Sequence, residues 1–345
     1  MTFLLKHHSR GIALASAILT GALVAAPQAA IAQDGADYVL ATASTGGTYY
    51  PVGVALATLT KVKLQPKQKI GMSAISSAGS GENVRLLREN EAQFAILQGL
   101  FGYFAANGLG PVEADGKQEN LRSVSMLWQN VEHFLVAADK ATTGTVDDFV
   151  ALKGSAVGLG AKNSGTIGSN TVLLGNLGLD VDKDFELMYG GYGPTAEAMQ
   201  NGQIVGASIP AGVPVGAVTQ LAASMGDGVK LLNLTDEQMQ VADGGMGLWV
   251  RYDIPAGTYP GQDEDVATIA QPNFLAVRDD VPEEHVYLFT KTVYENLPFL
   301  QAIHPATKAM AIEKAIAGLP MPLHPGAARY YKEVGIDIPE SLMAK

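Results

Sequence analysis

Five times this chain passes from an apolar run, through a turn dense in glycine and hydroxyl residues, into a stretch whose apolar residues recur at helical spacing. That alternation restricts the fold more than any other feature. Strands that alternate with helices pair in parallel through crossover helices, and their strand-to-helix turns gather on one edge of the sheet. The first unit runs from residues 38–41 through Ser44-Thr45-Gly46-Gly47-Thr48-Tyr49-Tyr50-Pro51 to Val54, Leu56, Leu59 and Val62. The second runs from 70–75 through Ser76-Ser77-Ala78-Gly79-Ser80-Gly81 to a helix that starts near Glu82 and carries Val84, Leu86 and Leu87. A third strand, 92–97, ends at Gln98. After an extended segment, 120–138, the pattern resumes with strands expected at 156–158, 185–189 and 204–209. These lead through Leu159 to Thr166, Gly190-Gly191-Tyr192-Gly193-Pro194 and Pro210-Ala211-Gly212-Val213-Pro214 into three further helices. The expectation is an α/β protein of two βαβ lobes, whose hydroxyl-lined edges form a cleft if they face each other.

The first amides of a helix have no partner within it, and the helix dipole turns its positive end toward the turn. Glycine there lets a ligand approach the backbone closely. Such a corner suits a carboxylate or another small anion. Any one of these turns is also explained as a tight turn with an N-cap. Several on the carboxyl edge of parallel strands, where open α/β sheets bind ligands, favour a ligand site. The candidate contacts are Ser44, Thr45, Gly46, Gly47, Thr48 and Tyr49 from the first turn, and Ser80 and Asn83 from the second. Gln98, Ser164, Gly165, Thr166, Ala211 and Gly212 join them. Lys162 is the only basic residue in the turns, and either pairs with a carboxylate or is solvated. Trp128 and His133 are the distinctive members of the extended segment, either ligand contacts or satisfied structural residues.

Residues 1–32 are expected to lie outside this fold. Lys6, His7, His8 and Arg10 precede an apolar run of small residues from 11 to 26, and Ala30-Ile31-Ala32 fits the pattern ahead of a cleavage point. This is the layout of a secretory signal peptide, and the apolar run is short for a membrane span. The roughly 310 residues that follow suffice for two domains of ordinary size. No later stretch is apolar enough to insert in a bilayer, so a soluble periplasmic or extracellular protein is expected. The formal net charge of −11, more negative once Lys6 and Arg10 leave, argues against nucleic acid and anionic lipid as partners.

No cofactor is expected. The chain has no cysteine, so no thiolate metal site exists, and its six histidines are scattered. Asp263-Glu264-Asp265 lacks the spacing of a calcium loop and reads as a solvated acidic turn. A catalytic motif is also missing. Gly-x-Ser-x-Gly is absent, Asn163 stands where a dinucleotide fingerprint after Gly158-Leu159-Gly160 needs its third glycine, and no Walker lysine follows a glycine loop.

Long strings throughout the mature chain sharpen this reading. Thr45-Gly46-Gly47-Thr48-Tyr49-Tyr50-Pro51, Gly81-Glu82-Asn83, Ala211-Gly212-x-Pro214, the loop Ile254 to Gln262, and Leu319-Pro320 with His324-Pro325-Gly326-Ala327 resemble the TAXI-type solute-binding proteins of tripartite ATP-independent periplasmic (TRAP) transporters. The resemblance implies a two-lobe type II periplasmic binding protein fold that closes on its ligand. Residues 33–130 with 272–345 would form the first lobe and 131–271 the second, with crossings near 127–134 and 250–271. It implies a monomer, not an enzyme, that hands a small carboxylate, of amino-acid or dicarboxylate type, to TRAP membrane permease subunits. One departure concerns the ligand. The family usually has Gln-Ser/Thr-Asp after the third strand, whereas Gln98 is followed here by Gly99-Leu100. Two other classes remain open: a sensor whose closed form docks on a receptor kinase, and an exported hydrolase, which lacks any nucleophile–base pair at recognisable spacing.

Overall fold

The computed structural model describes residues 35–344, so the leader expected at 1–32 lies outside the described residues. The first sheet has the order β10-β11-β3-β1-β2, with β4 also paired to β11. Its strands are β1 (Ala36–Ala41), β2 (Ile70–Ile75), β3 (Phe94–Gln98), β4 (Leu121–Val131), β10 (Val250–Ile254) and β11 (Val266–Arg278). The second sheet, order β7-β6-β8-β5-β9, contains β5 (Phe134–Ala137), β6 (Ala156–Gly158), β7 (Glu186–Leu187), β8 (Gly206–Ser208) and β9 (Val229–Leu231). β1 is parallel to β2 and β3, and β6 is parallel to β7 and β8. The expected parallel units are therefore present in both sheets. β11 runs antiparallel to β3, β4 and β10, and β5 antiparallel to β8 and β9.

A strand covered on both faces reads as a continuous apolar run. β3 is the example: Phe94, Ala95, Ile96 and Leu97 are all buried. Phe94 and Ile96 point into one core with Leu40, Leu56, Phe289 and Tyr331. Ala95 and Leu97 point into another with Leu100, Phe101 and Phe134. Burying a side chain of the Phe or Ile size contributes about 1.5–3 kcal/mol. The second core reaches across both sheets, because Phe101 packs against Gly168, where a Cβ would come within 2.6 Å of the ring.

Several local expectations are corrected. In the sequence 266–277 reads as an extended strand broken by Pro272, but β11 continues through the proline. Pairing with β3 starts only at Asn273, so the missing proline N–H leaves no gap in that ladder. The strands expected at 185–189 and 204–209 shrink to Glu186–Leu187 and Gly206–Ser208. The region 306–317 reads as a helix in the sequence but forms only short 3-10 turns, Pro305–Ala309 and Ile312–Lys314. Helices Gly99–Asn107, Asp236–Asp243 and Pro325–Glu333 were not expected. The β10–β11 ribbon pairs within the first sheet, yet Ile254, Tyr259 and Val266 pack with Ile209, Val215 and Val218 beside the second.

The edges of the two sheets touch. Glu82 N–H donates to Asn163 O at 2.9 Å, Ala217 N–H to Gly46 O at 3.2 Å, and Thr48 Oγ1 to Gly212 O at 2.9 Å. Glycine permits this approach: a Cβ at Gly81 would run into the Asn163 carbonyl, and one at Gly46 would lie 3.0 Å from Gly193 N.

Candidate functional site

A cavity of about 200 Å³ lies where the edges meet. Four helices open onto it: Tyr49–Lys63 and Ser80–Arg88 from the first sheet's side, Gly165–Asn176 and Tyr192–Gln200 from the second's. Each follows a parallel strand, which is why the four N-termini converge. Among the described residues, no acceptor is paired with the N–H of Thr48, Tyr49, Ser80, Gly165 or Thr166, all of which line the cavity. Unpaired amides and four positive dipole ends give this concavity an electrostatic environment that favours negative charge.

Among the described residues, no lysine, arginine, histidine, aspartate or glutamate lines it. The titratable groups around it are held in their neutral forms. Burial pushes the Tyr49 and Tyr192 phenols well above their usual range. Burial pushes the Glu132 carboxyl, where the chain passes between β4 and β5, up to about 8, with the Trp249 indole N–H opposing it. The Trp249 contact falls outside hydrogen-bond geometry: among the described residues neither Glu132 oxygen nor the Trp249 indole nitrogen has a hydrogen-bond partner. Burial lowers the neighbouring His133 to about 4, against its bonds to the carbonyls of Val131 and Ile209. Charged forms are disfavoured in so dry a region, so each group sheds or keeps its proton accordingly.

Of the sequence candidates, Ser44, Gly47, Thr48, Tyr49, Ser80, Gln98, Ser164, Gly165, Thr166 and Ala211 line the cavity. The others are not brought to its wall. Asn83 uses its Nδ2 on the carbonyls of Thr42 (2.7 Å) and Ile96 (2.9 Å), tying β1 to β3. His133 is enclosed by the carbonyls of Val131 and Ile209 and by the Tyr259 hydroxyl. Trp128 is buried against Tyr49 and Gly212. Thr45 and Gly46 sit in the first turn away from the wall, and Gly46 instead meets Gly193 and Ala217. Lys162 lies in an adjoining cavity, its Nζ 4.9 Å from the centre of the Tyr189 ring. Thr48 does not cap its helix with its side chain; its hydroxyl bridges to Gly212 O instead.

Sequence reading missed two contributors. Tyr192 bridges three parts of the wall: its hydroxyl donates to Pro210 O at 2.5 Å and meets Thr166 Oγ1 at 2.9 Å, and its N–H donates to Ser44 Oγ at 3.4 Å. An aromatic residue between Gly191 and Gly193 was the available signal. Asn130 lies on the same face of β4 as Trp128, and its signal was the amide pair Gln129-Asn130 between Trp128 and Val131. Leu100, where the resembled family has an acid, is buried in the core, and its N–H donates to Gln271 Oε1 at 2.8 Å.

The chain belongs to the NMT1-like family, whose sequence profile matches residues 40–335. Its fold is that of periplasmic binding proteins, as solved structures show. MatC from Rhodopseudomonas palustris, solved with bound malate, is 14% identical, with 86% of this chain and 98% of that one covered and a TM-score of 0.56. A binding-protein component of an ABC phosphonate transporter from Pseudomonas aeruginosa is 9% identical over 78% of each chain, with a TM-score of 0.50. A protein of Bordetella bronchiseptica RB50 is 12% identical over 88% and 85%, also at 0.50. Among the described residues, no helix is long and apolar enough to cross a membrane.

Proposed function

We infer that this protein is a periplasmic solute receptor, not an enzyme, which closes its two lobes on a small carboxylate and delivers it to a TRAP permease. The observation that carries the reading is the chamber itself: four helix N-termini, unpaired amides and no charged side chain, enclosed where the two sheet edges touch. A cavity of about 200 Å³ lies below the roughly 300–1,000 Å³ of drug-sized sites, which suits a small solute. The TRAP partner rests on the TAXI-like strings. The interlobe bonds of Glu82, Ala217 and Thr48 are contacts that only a closed form makes, and a ligand drives closure by binding that form better.

A thermal-shift screen of carboxylates and amino acids on refolded, ligand-stripped protein tests it. A ligand at a hundred times its Kd adds about 2.7 kcal/mol of stability, so a true ligand raises Tm by several degrees. A screen in which no small anion moves Tm would sink the receptor reading.

A further inference from the structure

The amide-rich side of the chamber accounts for one end of a ligand. The wall also carries two buried side chains with unmatched polar atoms. Gln98 is 3% exposed and Asn130 1%; both line the cavity. Among the described residues, Gln98 Oε1 and Asn130 Nδ2 have no hydrogen-bond partner. Such groups are costly to bury unpaired, and a ligand hydroxyl in the cavity would complete them.

The orientation of Asn130 is fixed by a relay. Tyr49 keeps its phenolic proton, so its hydroxyl donates to Asn273 Oδ1 at 2.5 Å. That turns Asn273 Nδ2 toward Asn130 Oδ1, at 3.4 Å. Asn130 is therefore left presenting its N–H groups. Gln98 is held against the opposite lobe, where a Cβ on Gly165 would come 2.7 Å from its Oε1. Beside the amides, the wall thus offers a neutral donor and a neutral acceptor.

We propose that Asn130 and Gln98 form a neutral subsite for a hydroxyl group, so that the solute is a short hydroxy monocarboxylic acid. This rests on the carboxylate-receptor reading above. A hydroxyl accepts from Asn130 and donates to Gln98. A second carboxylate would meet the Gln98 oxygen with no cation to offset it. An ammonium would meet the Asn130 N–H groups with no carboxylate in the wall.

Calorimetry on ligand-stripped wild-type protein tests this with two matched series plus succinate. The first series is lactate, propionate and alanine; the second is 3-hydroxybutyrate, butyrate and 3-aminobutyrate. The expected result is that at least one hydroxy acid binds ten or more times tighter than its deoxy and amino counterparts and than succinate. In Asn130→Ala the ratio of hydroxy acid to deoxy acid affinity should collapse toward one. A ratio is read because it is insensitive to a general loss of affinity, and thermal melting confirms that the variant folds. Propionate, alanine or succinate equalling the best hydroxy acid overturns the subsite while leaving the receptor reading intact, as does an unchanged ratio in Asn130→Ala. Silence from every carboxylate overturns both.

Discussion

Two cavities adjoin at the meeting of the lobes, sharing Ala78 and Ser164 in their walls, and they differ in charge. The inner one has no charged lining side chain. The outer one, about 370 Å³, is lined by Glu82, Arg85, Arg88, Asp115 and Lys162. Its arginines are already matched: Arg85 to Glu82, Glu89 and Glu91, and Arg88 to Glu89 and Asp115. Such exposed pairs contribute roughly 0–1 kcal/mol each. The arginines of the outer cavity are thus neutralised at the surface, whereas the proposed attraction for an anion lies in fixed backbone dipoles inside. A protein with a negative net charge can hold an anion in this way, because oriented amides at contact distance outweigh distant charges that solvent screens.

The largest way to break the contrast is to keep the rims apart. Gly81 lies in the outer cavity, and its Cα faces the Asn163 carbonyl. Overpacking of about 1–3 kcal/mol by Gly81→Val should weaken ligand affinity by roughly tenfold to a hundredfold. Solution scattering on the saturated variant should give a larger radius of gyration than saturated wild type. Equal radii and affinities would mean that this contact does not govern closure.

A second variant tests whether the inner region depends on staying uncharged. The folded pKa of Glu132, about 8, lies above its ordinary 4.5, so the folded state holds a proton that the unfolded chain releases. Stability from this group is complete below about pH 4.5 and declines as pH rises toward 8, by up to about 1.4 kcal/mol per pH unit. Glu132→Gln removes that decline. Its Tm should match wild type near pH 4.5 and exceed it by several degrees at pH 8, and parallel Tm–pH curves would contradict the assignment.

Smaller effects follow at the latch and the outer wall. Thr48→Ala removes the bond to Gly212 O, a loss of about 0.5–1.5 kcal/mol, so affinity should fall roughly two- to tenfold in calorimetry with the melting temperature nearly kept. Lys162→Ala should change affinity less than about twofold, since a solvated cation contributes little. A tenfold loss there would place the anion in the outer cavity.

The glycine-rich turns were legible in the sequence because each is local: a strand end, a turn and a helix start lie within about ten residues. The rest depends on residues distant in the chain. Asn83 reads as another hydroxyl-turn neighbour until β1 and β3 flank it and absorb its amide. Thr48 reads as a helix cap, and only the second lobe, 164 residues away, supplies the carbonyl it prefers. Asn130 gains its role from Tyr49 and Asn273, which no spacing in the sequence connects. Pro272 reads as a strand breaker because the start of its pairing with β3 cannot be seen from one strand alone.

The central claim is that amides, not cations, hold the charged end of the solute in the inner chamber. Calorimetry comparing lactate with lactamide, and 3-hydroxybutyrate with 3-hydroxybutyramide, tests it most directly, since in each pair a charged, acceptor-only carboxylate gives way to a neutral amide of nearly the same size. Charge-assisted hydrogen bonds are worth about 1.5–3 kcal/mol against roughly 0.5–1.5 for neutral ones. The hydroxy acid that binds best should therefore exceed its amide by at least about tenfold. An amide that binds as tightly as its acid would contradict the account.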